Sequence, residues 1–269
     1  MLQRCAVVWL FCFITGWLYA GEPLFVSHGA GQAGMAYSTV ASAGHWNSFH
    51  NQALMAGYSD ITAGLSLESR FMLKEMSSKA ISLVIPGRSA PLGIIASHFG
   101  NGQYSVTFAG IGSAITVSDG LAVGIQADII AETGVGDYRD VYHSVFEAGM
   151  AARVTPELTL GLHIFNPLTT LNTLPSSLRA GISWSPGTEL MLACEASKMT
   201  DEPLSLNGGV SWQLLRKLVL RTGYMSSPAS FAFGAGFTSG NVQTDIGFLV
   251  NNMTGVTSSV SFTWTIKKK

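Results

Sequence analysis

The chain has 269 residues, a length that one all-β barrel fills, since such barrels run to roughly 200–250 residues as a single domain. Charged residues make up only 12% and mean hydropathy is +0.32, which excludes a well-hydrated surface of ordinary composition. The formal net charge of −1 provides no basic stripe and removes nucleic acid as a partner.

Taken in chain order, Arg4 is followed by an apolar run from Cys5 to Leu18, and Leu18-Tyr19-Ala20 precedes Gly21 and Glu22. This order predicts a secretory signal over 1–20, cleaved near Ala20. Leu18 is bulky for its place before the cleavage site, so an uncleaved helical anchor is the competing reading. The run is short for that role, because a helical span needs about 20 apolar residues. No later stretch is long enough either, so any membrane crossing beyond it must use strands. Cys5 and Cys12 fall in the signal, which leaves Cys194 alone and excludes an internal disulfide or a cysteine-based metal cluster.

Residues 21–57 are rich in Gly, Ala and Ser and lack steady alternation, as expected of an N-terminal hatch packed inside a barrel. Gly29, Gly31 and Gly34, followed by Met35, would let backbone pass close to its surroundings. The spacing of the three glycines imitates a dinucleotide fingerprint, but no strand of a βαβ unit precedes it.

From about Ile61 to Ile266, ten-residue stretches alternate apolar with small or polar residues, the signature of a transmembrane barrel. The last is the clearest, with Val256, Val260, Phe262, Trp264 and Ile266 on one face and Thr257, Ser259, Ser261, Thr263 and Thr265 on the other. The fold class read from this pattern is all-β, an antiparallel transmembrane barrel of about 14 strands over 58–266, with the hatch as plug and a basic tail at 267–269. Tight turns are expected at Pro86-Gly87, Asp119-Gly120, Pro156-Glu157, Pro186-Gly187, Arg216-Lys217 and Gly240-Asn241. The links around 132–143, 166–177 and 198–203 are longer and polar, and those near 226–230 and 251–255 only slightly longer than turns, an alternation that places both ends of the barrel chain in the periplasm. A soluble β-sandwich also alternates, but it gives no reason for such low charge or for outward aromatics.

A lumen of this width needs water or a plug to fill it. The strand phase turns Glu68, Arg70, Gln126, Asp128, Glu147, Arg153, Arg179, Glu195, Arg221 and Asp245 inward, acids and arginines in comparable number, as expected of ions paired with one another and with the plug. His28, His45, His50, His98, His143 and His163 lack helical i, i+4 spacing and neighbouring cysteine or carboxylate ligands, so no metal and no cofactor is expected. Ser97, His98 and Asp128 make a triad only on paper, without a Gly-x-Ser-x-Gly element, and the chain is read as no enzyme.

Gly29-Ala30-Gly31-Gln32-Ala33-Gly34-Met35-Ala36, Val40-Ala41, and Trp46-Asn47-Ser48-Phe49-His50-Asn51-Gln52-Ala53 together resemble the hatch of the PorV/PorQ family, which is itself similar to FadL-type transporters. The resemblance runs on through Arg70 to Glu75, Leu160 to Pro167 and the final strand. Two departures stand out: Gln52 occupies a position where the family usually has proline, and Lys267, Lys268 and Lys269 follow the last aromatic strand. The resemblance implies a fourteen-stranded barrel of a Gram-negative, Bacteroidota-type outer membrane, in contact with its lipid. It implies a component of a type IX-like secretion or assembly machine, partnered by other outer-membrane or periplasmic proteins. The alternative it implies is a FadL-like transporter of hydrophobic small molecules.

Overall fold

The structure, a computed structural model, describes residues 28–134, 140–169 and 174–267. The expected signal, the first part of the hatch at 21–27 and the last two lysines of the tail lie outside the described residues.

Fourteen strands close into one antiparallel barrel, each paired with its neighbours in sequence, and β1 (Ile61–Ser69) meets β14 (Gly255–Ile266) to seal it. Between them follow β2 (Ser77–Ile85), β3 (Leu92–Gly100), β4 (Tyr104–Ser118), β5 (Leu121–Gly134), β6 (Val141–Arg153) and β7 (Leu158–Phe165). The second half comprises β8 (Ser177–Trp184), β9 (Leu190–Met199), β10 (Ser205–Leu215), β11 (Leu218–Ser226), β12 (Ala229–Ser239) and β13 (Val242–Asn251). Closure leaves no open edge, the condition for a sheet in hydrocarbon, where no water can take up a free N–H or C=O.

The alternation gives the wall its two faces. Leu65, Ile111, Ile129, Leu162, Phe233 and Phe262 are exposed on the outside, a continuous apolar surface that suits lipid. Trp184, Trp212 and Trp264 are exposed near one rim, and Tyr104, Tyr142 and Tyr224 near the other, where amphipathic rings sit at membrane interfaces.

One rim carries the expected turns, tight at Asp119-Gly120, Arg216-Lys217 and Gly240-Asn241, whereas Pro86-Gly87, Pro156-Glu157 and Pro186-Gly187 lie within the longer links 86–91, 154–157 and 185–189. Asp119-Gly120 and Gly240-Asn241 are two-residue links whose glycines take φ of +83° and +59°, the left-handed geometry that matches the twist of a short hairpin. The other rim, here the loop end, holds residues 70–76 with two 3-10 turns and the long connection 166–176, although Ser227-Pro228 alone joins β11 to β12. The wall is uneven, with 15 residues in β4 and 14 in β5 against 8 in each of β7 and β8.

Residues 28–60 fold inside this wall as a short helix α1 (Ala30–Ala33) and two 3-10 turns, His45–Phe49 and Gln52–Gly57. Ala30, Ala36, Trp46, Ala53 and Met55 are almost wholly buried, so the core lies between plug and wall. The wall makes room by carrying glycine on its inner face. A Cβ at Gly161 would stand 2.2 Å from Val40 O, and one at Gly124 would stand 2.5 Å from Ala53 N, so the plug backbone occupies the space that side chains would fill.

Candidate functional site

Three arginine–carboxylate pairs and a set of amide contacts fix the plug. Arg179 on β8 meets Glu195 on β9 through two bonds, Nε to Oε1 at 2.6 Å and Nη2 to Oε2 at 3.0 Å. Glu195 Oε2 also accepts from the backbone N–H groups of Thr39 and Val40, both at 2.9 Å. Arg179 in turn donates to Tyr37 O at 3.1 Å and His50 O at 3.4 Å. One ion pair thus holds two separate stretches of the plug. Ala36 and Tyr37 both have left-handed backbone, φ 51° and 55°, a conformation that persists when its surroundings over-determine it. Tyr37 is fixed from its other end as well, its hydroxyl donating to Glu68 Oε2 at 2.8 Å.

Arg70 Nε lies 3.2 Å from Glu68 Oε1, with its guanidinium 5.2 Å from the centre of the Phe99 ring. Nearer the other rim, Arg221 meets Asp245 at 2.6 Å and presses against Gly31, where a Cβ would stand 3.2 Å from its Cζ. Asn51 caps the second 3-10 turn by accepting from Ala53 N, while its Nδ2 donates to Val40 O at 2.7 Å and Met150 O at 3.1 Å. Gln52 donates to Glu147 Oε2 at 2.5 Å, a tie to the wall that proline could not make. His50 Nε2 faces the carbonyl of His28 at 2.9 Å, so that nitrogen carries the proton and Nδ1 accepts from Thr39 Oγ1 at 3.1 Å.

A cavity lies on each face of the plug. The loop-end cavity holds about 220 Å³. Phe49, Phe108, Phe165, Met199, Met225 and Leu249 give it apolar sides, and its floor is the ion-pair layer of Arg70 with Glu68 and Arg179 with Glu195, beside Glu147 and His163. Behind Phe108 the inner wall is itself apolar, with Ile95, Val106, Ile130, Val145 and Phe165 packed into one cluster and Phe49 of the plug against it. The Phe49 and Phe108 ring centres are 6.2 Å apart. The turn-end cavity holds about 380 Å³ and is polar, lined among others by Gln32, Ser42, Glu189, Gln213, Arg221 and Gln243.

The structure brings together nearly all the residues singled out from sequence. Gly29, Gly31, Gly34, Met35, Trp46, Asn47, Asn51 and Gln52 lie in the plug, while Glu68, Arg70, Asp128, Glu147, Arg179, Arg221 and Asp245 face it. Arg153 corrects the expectation. It has the inward phase of Glu147 and Gly149 but is the last residue of β6, beyond the plug, exposed and bonded through its backbone to the turn at Gly120. Sequence reasoning missed the apolar inner cluster. β4 keeps one phase from 106 to 115, but its apolar residues change face along it, Val106 and Phe108 inward and Ile111 and Ile115 outward, so alternation alone did not mark the inward ones.

No protein-family model and no curated protein matches the sequence. Solved structures do match in fold. A monoaromatic hydrocarbon channel, CymD, aligns with a TM-score of 0.73 over 92% of this chain and 100% of its own at 14% identity. The Ralstonia pickettii toluene transporter TbuX aligns at 0.72 over 90% and 99% with 12% identity, and a Pseudomonas aeruginosa FadL homologue at 0.66 over 89% and 98% with 12% identity. At these identities the likeness is one of fold: the chain shares the closed β-barrel architecture of these proteins.

Proposed function

We propose that the chain is a non-enzymatic outer-membrane channel that admits small, uncharged hydrophobic molecules. The observation that carries this reading is the loop-end cavity, with aromatic and methionine sides above a floor whose arginines are already engaged by carboxylates. An apolar solute gains from leaving water there. A carboxylate solute would have to compete with Glu68 and Glu195 for Arg70 and Arg179. The volume of about 220 Å³ is below the roughly 300–1,000 Å³ of sites for drug-sized ligands, which favours a compact solute. The fold likeness to hydrocarbon and toluene transporters supports the same choice over the protein-export role.

The test is uptake of radiolabelled toluene and of a medium-chain fatty acid by vesicles containing the purified barrel. Toluene uptake above that of empty vesicles, lost in Phe108→Asp while the barrel stays folded, is the expected result. Uptake no faster than in empty vesicles would end the reading. The secretion-machine reading rests on the PorV/PorQ-like hatch sequence at Gly29 to Ala36 and Trp46 to Ala53. It requires secretion or assembly proteins to co-purify with the barrel at near-equal amount from native membranes.

A further inference from the structure

Hydrogen bonds and ion pairs hold most of the plug, but one line of contacts through it is made of rings. Phe108 on β4, Phe49 and Trp46 on the first 3-10 turn, and His45 beside Trp46 form a file with ring centres 6.2, 6.0 and 5.4 Å apart. These spacings are those of aromatic rings in contact. Residues three apart eclipse one another in a 3-10 turn, so Phe49 and Trp46 stand on the same side of the plug backbone. The file spans the plug, since Phe108 and Phe49 line the loop-end cavity while Trp46 and His45 line the turn-end cavity. At this place the two cavities are parted by one ring contact.

A second thin place lies between Tyr37, which lines the loop-end cavity, and Thr39, which lines the turn-end one. There the partition is main chain, bonded to Arg179 and Glu195, and it cannot shift without breaking those contacts. A ring can turn. Among the described residues Trp46 Nε1 has no acceptor, so the indole moves without losing a hydrogen bond. It lies between two glycines, Gly29 of the plug and Gly64 of β1, where a Cβ would stand 2.7 and 3.0 Å from it. His50 and Asn51, tied to His28 O, Val40 O and Met150 O, keep the turn itself in place. The wall gives no such passage. Its two register shifts among the described strand pairs, at Thr116/Ser118 and Gln213/Leu215, both lie by the turn-end rim, and the ladder beside the loop-end cavity is continuous.

We propose that an apolar solute crosses the plug along this file, and that Phe49 and Trp46 set the width of what crosses. The inference rests on the channel reading and names the residues that select within it. A solute one ring wide exchanges ring contacts for its own as Phe49 and then Trp46 turn aside, so it stays out of water until it reaches the turn-end cavity. A wider solute needs both rings displaced at once.

The experiment measures uptake of radiolabelled toluene and naphthalene by vesicles containing the full-length barrel, with single-channel conductance in planar bilayers alongside. Wild type should carry toluene and discriminate against naphthalene. Trp46→Phe and Trp46→Ala should raise naphthalene uptake relative to toluene, by about tenfold in the second, the scale on which an apolar pocket sorts solutes by size. Conductance should stay at the wild-type level in Trp46→Phe, because the contacts that seat the plug are untouched. Trp212→Ala, which removes a ring from the outer face, should change neither the ratio nor the conductance. A ratio unchanged in both Trp46 variants, with toluene still carried, would overturn the file and leave the channel standing. So would a ratio that rises only together with conductance, the behaviour of a loosened plug. Wild type that carries naphthalene as fast as toluene would overturn the file even if the variants failed to fold, and wild type that carries no toluene would overturn file and channel together.

Discussion

The two faces of the plug are built from different chemistry. On the loop side Phe49, Phe108, Phe165 and Met225 surround a cavity whose ions are tied up beneath it, whereas on the turn side Gln32, Ser42, Gln213 and Gln243 line a larger polar vestibule. An apolar solute is favoured at the first and gains little from the second. In the proposed channel the apolar route would end at the plug, and the contacts that seat the plug, not the width of the barrel, would set what passes. This contrast can be broken most forcefully at the seat itself.

The largest effect is expected at Arg179. Its removal leaves Glu195 buried without a counter-charge and frees Tyr37 O and His50 O at once. Loss of one partner of a buried pair costs about 3–5 kcal/mol. Arg179→Ala should lower the unfolding temperature by several degrees and raise single-channel ion conductance in planar bilayers, since the plug loosens. Adding Glu195→Gln should restore part of the stability, because the stranded charge is then gone. Unchanged conductance in both variants would show that the pair does not seat the plug.

Next in size is a steric wedge on the wall. A Cβ at Gly161 meets Val40 O at 2.2 Å, a backbone atom that cannot swing away. Overpacking of this kind costs about 1–3 kcal/mol. Gly161→Ala should therefore destabilise the barrel, while Gly187→Ala, with nothing within 4 Å, should leave thermal unfolding as it is. Equal behaviour of the two would mean that the plug does not lie against β7.

The barrel was legible in sequence because its signal repeats: each strand restates the same alternation, and the expected turns at Asp119, Arg216 and Gly240 fall at the same rim. The partners inside were legible as a class, since strand phase alone turns Glu195 and Arg179 inward. Which acid meets which arginine was not, because that depends on the register between strands and on where the plug runs. Arg153 shows the limit of phase, which says which way a residue points but not whether anything is there to meet it. The apolar ring of the loop-end cavity escaped because β4 carries apolar residues on both faces, Val106 and Phe108 inward and Ile111 and Ile115 outward, so its pattern does not say which of them meet lipid. Gln52 departs from the pattern of the family the hatch resembles, and the reason lies in a contact that sequence does not display, its amide on Glu147.

The smallest effect tests the turn side. Gln243 holds both oxygens of Asp245, at 3.1 and 2.8 Å, and so steadies the acid that pairs with Arg221. A hydrogen bond to a charged group contributes about 1.5–3 kcal/mol when buried, and this one is half-buried beside a vestibule of about 380 Å³, so water can replace the lost donor. Gln243→Ala should cost about 1 kcal/mol or less in thermal unfolding. It should leave toluene uptake unchanged, because a polar vestibule does not hold the solute. If uptake instead fell as far as in Phe108→Asp, selection would lie on both faces of the plug and the contrast between them would fail.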